Sequence, residues 1–326
     1  MKSLILLLAL SQAVAAADSG AEAWARAMAQ AKSLSRQHRF AEALAAVRRV
    51  LPIARRFGPL DTRLAETYDW LGSIQRDMGA CTEAPLDDSR AIAIWERQPS
   101  PPARPLFNSI VFLLDTLCEC GRTAAAEKAF RSYEAILQRY ATTAEDQVEM
   151  LNLRAAIAKA RNNYPLAESC YRQALQWLEQ SPDGAPVQIA ETRINMALAI
   201  WKEGRTEESL AESDQVLDFL DHSFIDRDKS HPGATVVTLN NAACALSAMG
   251  RKVEAERLFE RALAAALDAY GENTRVTATV MLNYAKGLRE AKQSKAAEVM
   301  QKRGEAAFRN TLAGDNATVD VADLGQ

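Results

Sequence analysis

The sequence predicts an all-α fold, a right-handed superhelical solenoid of about seven antiparallel helix-pair repeats. Three observations predict it. A grid of small residues recurs about every 42 residues. Glycine and proline fall at regular joints. Apolar residues between the joints recur at helical spacing, as in Leu258, Phe259, Ala262 and Leu263.

The grid is clearest from Thr238 to Leu263, where Ala243, Gly250, Ala255 and Ala262 stand at offsets 0, 7, 12 and 19. Gly72, Gly79, Ala84 and Ala91 repeat the full set. Ala285, Ala297 and Gly304 keep offsets 0, 12 and 19, as do Ala155, Ala167 and Ala174. Ala197, Gly204 and Ser209 keep 0, 7 and 12; Gly121 and Ala126 keep 7 and 12 after Leu114; Ala31 and Ala43 keep 0 and 12, with His38 at the glycine position. The first marks therefore lie at 31, 72, 114, 155, 197, 243 and 285. Small residues at offsets 0, 12 and 19 let two helix backbones approach closely. The glycine at offset 7 ends the first helix, because glycine reaches the left-handed conformation that a helix C-terminus needs. One helix pair cannot bury its own apolar face, so neighbours stack.

In chain order, residues 1–17 read as an export signal. Lys2 supplies the positive start, Leu4 to Leu10 a short apolar core, and small residues up to Ala17 a cleavage site, giving a mature start at Asp18. No cysteine stands at that site for a lipid anchor, and no later stretch is apolar enough to span a bilayer. The repeats follow near 24–60, 65–98, 107–141, 148–181, 190–222, 236–271 and 278–309, with 310–326 as a C-terminal tail. "QPSPPARP" (Gln98 to Pro105) separates the second and third, and "SPDGAP" (Ser181 to Pro186) the fourth and fifth, because proline cannot continue a helix. The longest step holds "DHSFIDRDKSHPG" (Asp221 to Gly233). Thr318 to Val321 alternates as a short extended piece would.

The grid resembles the tetratricopeptide repeat over about Glu22 to Ala307. The consensus period of that family is 34 residues; the longer period here is similar to the kinesin light chain subtype. His231-Pro232, Leu239-Asn240-Asn241, Gly250-Arg251 and Glu254-Ala255-Glu256 carry that likeness. The resemblance implies a protein- or peptide-binding module whose first helices line a concave groove.

Asn195, Asn241 and Asn283 each sit two residues before a first mark, so one side chain recurs at one helical angle in three consecutive repeats. Asparagine is a middling helix former, and its amide both donates and accepts. Such a row either clamps the backbone of an extended peptide or bonds to the neighbouring repeat and fixes the stacking. It resembles the asparagine ladders of kinesin light chain and of the O-linked N-acetylglucosamine transferase repeats, which implies peptide binding. Asn152 and Asn240, one position earlier, extend the row, with Glu191, Thr279 and Lys286 one turn away. At the corresponding angle the earlier repeats carry Trp70, Phe112 and Leu153. That apolar half argues against the charge clamp for a C-terminal carboxylate known from cochaperone members of the family. Trp70 and Phe112 are either an apolar peptide contact or core.

Cys81 falls at the start of one helix and Cys118 and Cys120 at the end of another that stacks beside it. An oxidising compartment favours a disulfide from Cys81 to Cys120, or else to Cys118. Cys170 and Cys244 fall on helix interiors as buried, inert thiols. No spacing matches a zinc or redox motif. Asp218, Asp221, His222, Asp226 and Asp228 crowd one loop, read as a charged surface rather than a cation site. No nucleophile elbow, phosphate loop or dinucleotide fingerprint occurs.

A net charge of −3 with 48% hydrophobic residues excludes disorder and argues against nucleic acid as a partner. The basic pairs Arg48-Arg49 and Arg55-Arg56 read as solvated faces. The expectation is a non-enzymatic interaction module with no catalytic residue, metal or cofactor, binding an unidentified protein or peptide. It is exported, and periplasmic in a Gram-negative cell. The alternatives are a structural subunit of an envelope complex and a small-molecule or glycan binder.

Overall fold

The computed structural model describes residues 20–37, 39–180, 186–222 and 232–317, by backbone alone at 232, 234 and 311–317. The signal-like segment, His38, most of "SPDGAP", Asp226, Asp228, His231 and Thr318 onward lie outside them. The described residues form helices and turns, with no strand among them. The order is α1 (20–36), α2 (Phe40–Arg56), α3 (Thr62–Asp77), α4 (Ala84–Glu96), α5 (Ala103–Glu119), α6 (Thr123–Tyr140), α7 (Ala144–Ala160), α8 (Tyr164–Glu179), α9 (Pro186–Lys202), α10 (Thr206–His222), α11 (Pro232–Ala248), α12 (Lys252–Tyr270), α13 (Arg275–Glu290) and α14 (Ser294–Ala317). Odd and even helices pair in sequence, so the fold is an all-α helix-pair repeat solenoid.

The chain divides into two compact units, one through Tyr140 and one from Ala141. In the first, α2 to α6 each pack on the next, and α3 also lies beside α5. In the second, the pairs α7–α8, α9–α10, α11–α12 and α13–α14 form, and the first helices α9, α11 and α13 line up side by side.

The small-residue grid is the contact surface of these pairs. Ala31, Ala43, Ala84, Ala91, Ala126, Ala155, Ala167, Ala174, Ala197, Ser209, Ala243 and Ala262 are fully buried. At Gly72 even a methyl group is excluded, since a Cβ there would stand 1.9 Å from Oδ1 of Asp88. Gly287 makes room for the Phe259 ring, which stacks on Tyr284 with centroids 5.3 Å apart. The offset-7 residue has a left-handed φ in every pair where it is described: Gly79, Gly121, Asn162, Gly204, Gly250 and Lys292. The first helix of a pair ends there whether or not glycine is present.

Helix starts follow local chemistry. Thr143 and Asp146 form a reciprocal capping box at α7. Asn163 caps α8 and Thr274 caps α13. Cys81 lies in the turn before α4 and not at the helix start that its place in the repeat suggested; α4 begins at Ala84, with Pro85 in its first turn. The last helix runs past Arg309 to Ala317.

The residue after the left-handed position ties consecutive second helices together in the second unit. Arg205 reaches back to Glu168 at 2.6 Å, Arg251 to Asp214, and Gln293 to Glu256 at 2.7 Å. Each bond spans 37 positions. Arg172 to Glu208 and Arg257 to Asp221 span 36. The "GR" pairs of the sequence are thus a turn followed by a strut.

Candidate functional site

In the second unit the first helices α7, α9, α11 and α13 carry a polar row where their other faces are core. Lys159 of α7 donates to Oδ1 of Asn195 on α9 at 2.9 Å, and the Asn195 amide donates to its own helix at the Glu191 carbonyl. The Glu191 carboxylate accepts from the Thr238 hydroxyl of α11 at 2.6 Å. Asn283 of α13 donates to Oδ1 of Asn240 on α11 at 3.2 Å. Ser247 of α11 donates to the Glu290 carboxylate of α13. Asn241 is exposed, as are Thr279 and Lys286. Asn152 of α7 is partly buried, its Oδ1 covered and without a partner.

The three asparagines therefore stand in different situations. Asn195 has both ends of its amide engaged. Asn283 is engaged through its donor, by the asparagine one position off its own register. Asn241 has a free amide.

Burial sets the charges of this face. Desolvation lowers the pKa of Lys159 and raises that of Glu191, the latter opposed by the Thr238 hydroxyl. Cys244, expected to be buried, is half-buried on α11, because its position faces the row and not the partner helix. Its thiol is pushed up to about 11 by burial, with Lys286, Glu290 and Lys159 all within electrostatic reach. Lys159 did not stand out in the sequence. Its importance lies in a contact 36 positions ahead, the same stride as the struts of the second helices.

In the first unit Trp70 and Phe112 are half-buried, and each carries a cation on its ring. Nζ of Lys32 lies 5.5 Å from the Trp70 centroid and also bonds Glu66 at 2.8 Å. The Arg76 guanidinium lies 5.7 Å from the Phe112 centroid and 3.8 Å from Asp115. Phe112 and Asn195 occupy the same repeat position, and Arg76 and Lys159 also match. In both units, then, a cation late in one first helix rests on that position of the next.

The same helices and α4 carry three acids, of which Asp88 is fully buried and Asp69 and Asp115 partly so. Asp69 accepts from Ser109 at 2.6 Å and from the Trp95 indole at 3.1 Å. Asp88 is fully buried; Oδ2 accepts from Thr116 at 3.0 Å, and Oδ1 has no partner. Burial pushes both carboxyls up to about 7, and that of Asp115 to about 6.

Cys81 and Cys120 form a disulfide with Cα atoms 5.6 Å apart; Cys118 and Cys170 are free thiols, Cys170 buried. Burial and the neighbouring Asp115 and Glu119 hold the Cys118 thiol up at about 11. Asp221 is committed to Arg257 and Arg261, and His222 to Asp218. Among the described residues no group of His, Cys, Asp and Glu could hold a metal ion, and no helix is long and apolar enough to cross a membrane. Arg48, Arg49, Arg55 and Arg56 are exposed.

Residues 234–310 match the tetratricopeptide repeat family model. This span covers α11 to α14 but for its ends, the part of the chain where the sequence grid is clearest. Among solved structures the chain is similar to the apo form of RapI, at 12% identity and a TM-score of 0.62 over 88% of this chain and 98% of that one. It is similar to the Rap conjugation gene regulator of plasmid pLS20 in complex with the Phr* peptide, at 13% identity and a TM-score of 0.61 over 90% and 75%. It is also similar to the apo quorum sensor NprR from B. thuringiensis, at 15% identity and a TM-score of 0.59 over 94% and 84%. At these identities the likeness is one of fold. None of the curated proteins matches the chain.

Proposed function

We propose that this chain is a non-enzymatic interaction module that holds a peptide or protein segment along the first-helix face of its second unit. The observation that carries the reading is the polar row that crosses four first helices, with the free Asn241 amide and the Asn240–Asn283 pair toward its C-terminal end. Backbone amides of an extended segment need paired donors and acceptors, and asparagine supplies both. Two structures of similar fold were solved as complexes, a Rap protein with Competence and Sporulation Factor and the Rap conjugation gene regulator of plasmid pLS20 with the Phr* peptide. The period of the repeats supports the finer reading of a kinesin light chain-like subtype. Trp70 and Phe112 would offer apolar contact in the first unit once Lys32 and Arg76 move aside.

We place the protein outside the cytoplasm, periplasmic in a Gram-negative cell, with no nucleic acid partner. The start of the sequence and the Cys81–Cys120 bond support export. N-terminal sequencing of protein made in its own cell should begin at Asp18; a start at Met1 would refute export by this signal.

One observation favours a second reading, a structural subunit of an envelope assembly. Asn195 and Asn283 already bond other side chains, as a stacking role requires. Crosslinking in the native cell separates the two readings. Under the first, replacing Asn240 and Asn241 with alanine removes the crosslinked partner and leaves the melting temperature unchanged. Retention of every partner by that variant would sink the peptide-binding reading.

A further inference from the structure

The second helices of the first unit carry a charge pattern that those of the second unit lack. Positions 14, 17, 18, 21, 24 and 25 after a first mark fall on one side of a second helix, the side turned to solvent. On α2 they hold Arg48, Arg49, Arg55 and Arg56, and on α4 Arg90 and Arg97. On α6 they hold Lys128, Arg131 and Arg139. All of these cations are exposed, and Glu96 is the one acid at the same positions. Arg56, Arg97 and Arg139 share one register position, where the second unit has Gln180, His222, Asp268 and Asn310.

The second unit neutralises this side across its helices. Arg261 of α12 meets Asp221 of α10 at 3.1 Å, and Arg172 of α8 meets Glu208 of α10 at 2.6 Å. The register equivalent of Arg261 and Asp221 in the first unit is Arg90 and Arg55, two like charges. Both reach Tyr68 of α3: Arg55 donates to its hydroxyl at 3.3 Å, and the Arg90 guanidinium lies 5.6 Å from its ring centroid. Arg90 and Arg131 find acids only on their own helices, Asp87 at 2.6 Å and Glu127 at 3.9 Å. Arg48, Arg49, Arg56 and Arg97 make no ion pair among the described residues. Apolar groups stand among them. Leu86, 54% exposed, and Pro52 lie on the same side as the arginines. Leu60, 44% exposed, is tied to the end of α4, where Gln98 donates to its carbonyl at 2.8 Å.

Like charges held side by side repel, and an anion that settles between them relieves the repulsion. The shape of the array says which anion. The three helices pack in order on α3 and α5, so their outer sides form one broad surface. Neighbouring helices stand roughly 10 Å apart, and seven residues along a helix rise by about the same distance. The guanidinium fork matches pairs of phosphate oxygens, and all but one of the cations are arginine. A layer of lipid headgroups presents phosphates in a plane at many points and an apolar zone beneath them for Leu86. An acidic protein segment would follow one row of arginines and leave the others unmet.

We propose that the outer face of α2, α4 and α6 docks the protein on an anionic phospholipid surface, the arginines meeting lipid phosphates and Leu86 entering the headgroup layer. The inference does not rest on the peptide-binding reading, which concerns the first helices of the other unit.

The test is flotation of the full-length protein with vesicles of phosphatidylcholine alone and of an equal mixture of phosphatidylcholine and phosphatidylglycerol. Wild type should float with the mixed vesicles, not with phosphatidylcholine, and added salt should release it. The Arg56→Gln, Arg97→Gln, Arg139→Gln variant should bind the mixed vesicles about a hundredfold more weakly at an unchanged melting temperature. The Lys295→Gln, Lys302→Gln, Arg309→Gln variant removes the same charge from exposed positions of α14 and should bind as wild type does. Equal losses in the two variants would overturn the assignment to this face. Wild type that ignores the mixed vesicles, or that is retained on immobilised polyglutamate or duplex DNA without floating, would overturn the lipid surface as its partner.

Discussion

Asn162 and Lys292 hold φ values of 58° and 64°, a conformation in which a side chain meets the following carbonyl. Gly79, Gly121, Gly204 and Gly250 occupy the same repeat position without that cost. Asparagine tolerates the conformation better than lysine, so the strain is greater at Lys292. Lys292→Gly should raise stability by about 0.5–1 kcal/mol in urea unfolding, the strain relieved exceeding the added chain entropy. A destabilised variant would mean that the turn is not strained. Gly72 is the opposite case. A methyl group there falls on the Asp88 carboxylate, so Gly72→Ala should cost about 2 kcal/mol or more. The loss should shrink in the Asp88→Ala background, and a double-mutant cycle reads that coupling directly. The small residue at the first mark was legible in the sequence. The carboxylate that demands glycine at Gly72 was not, because Asp88 lies on the facing helix and its direction depends on how α3 and α4 cross.

At the scale of elements, α3, α4 and α5 bring three acids into one region, Asp88 fully buried and Asp69 and Asp115 partly so. Asp69 and Asp88 are held up at about 7 and Asp115 at about 6, chiefly by burial. Glu66, Asp87 and Glu119 lie around them, and Arg76 is the cation that opposes the shift at Asp88 and Asp115. These carboxyls bind protons in the folded state at pH values where the unfolded chain has released them. Their contribution to stability is therefore fully present below the unfolded pKa and is lost as pH rises through about 7. Carboxyls held low by arginines, such as Asp61 and Glu168, act the other way and lose their contribution in more acid solution. The melting temperature should rise as pH is lowered from about 8 to about 5, then fall. Asp88→Asn keeps the shape and removes the ionisation, so it should flatten this slope and raise the melting temperature at pH 8. A slope unchanged in that variant would show Asp88 to be ionised in the fold. The Cys81–Cys120 bond closes the same region across 39 positions, so the Cys81→Ser, Cys120→Ser variant should lose about 4 kcal/mol by the entropy of that loop. Hydrogen exchange should place the loss in α3 to α5.

Over the whole molecule, the helix pairs were legible because backbone crossings demand small residues and first helices must end in a left-handed turn. Both demands are written in residue identity. The struts from Arg205 and Arg251 were visible only as a "GR" motif, since their partners lie one repeat back. The asparagine row was legible as a register, yet what each amide bonds depends on neighbours that the register does not name. Lys159 had no signal beyond being a lysine at the repeat position that Arg76 also fills. These differences yield one further prediction. Asn195→Ala leaves the Lys159 ammonium partly buried with no acceptor, which should cost about 1–3 kcal/mol. Asn241→Ala removes an exposed amide that bonds nothing, so its stability should stay within about 0.5 kcal/mol of wild type. If the row served stacking alone, neither variant would change partner capture except as far as it lost stability. If it serves a ligand, Asn241→Ala should lose capture at unchanged stability. Asn195→Ala should lose both, and Lys159→Met in that background should restore stability without restoring capture, because it removes the stranded charge and does not return the Asn195 amide. Denaturant melts and crosslinking of the three variants check this, and restored capture in the double variant would refute a binding role for Asn195.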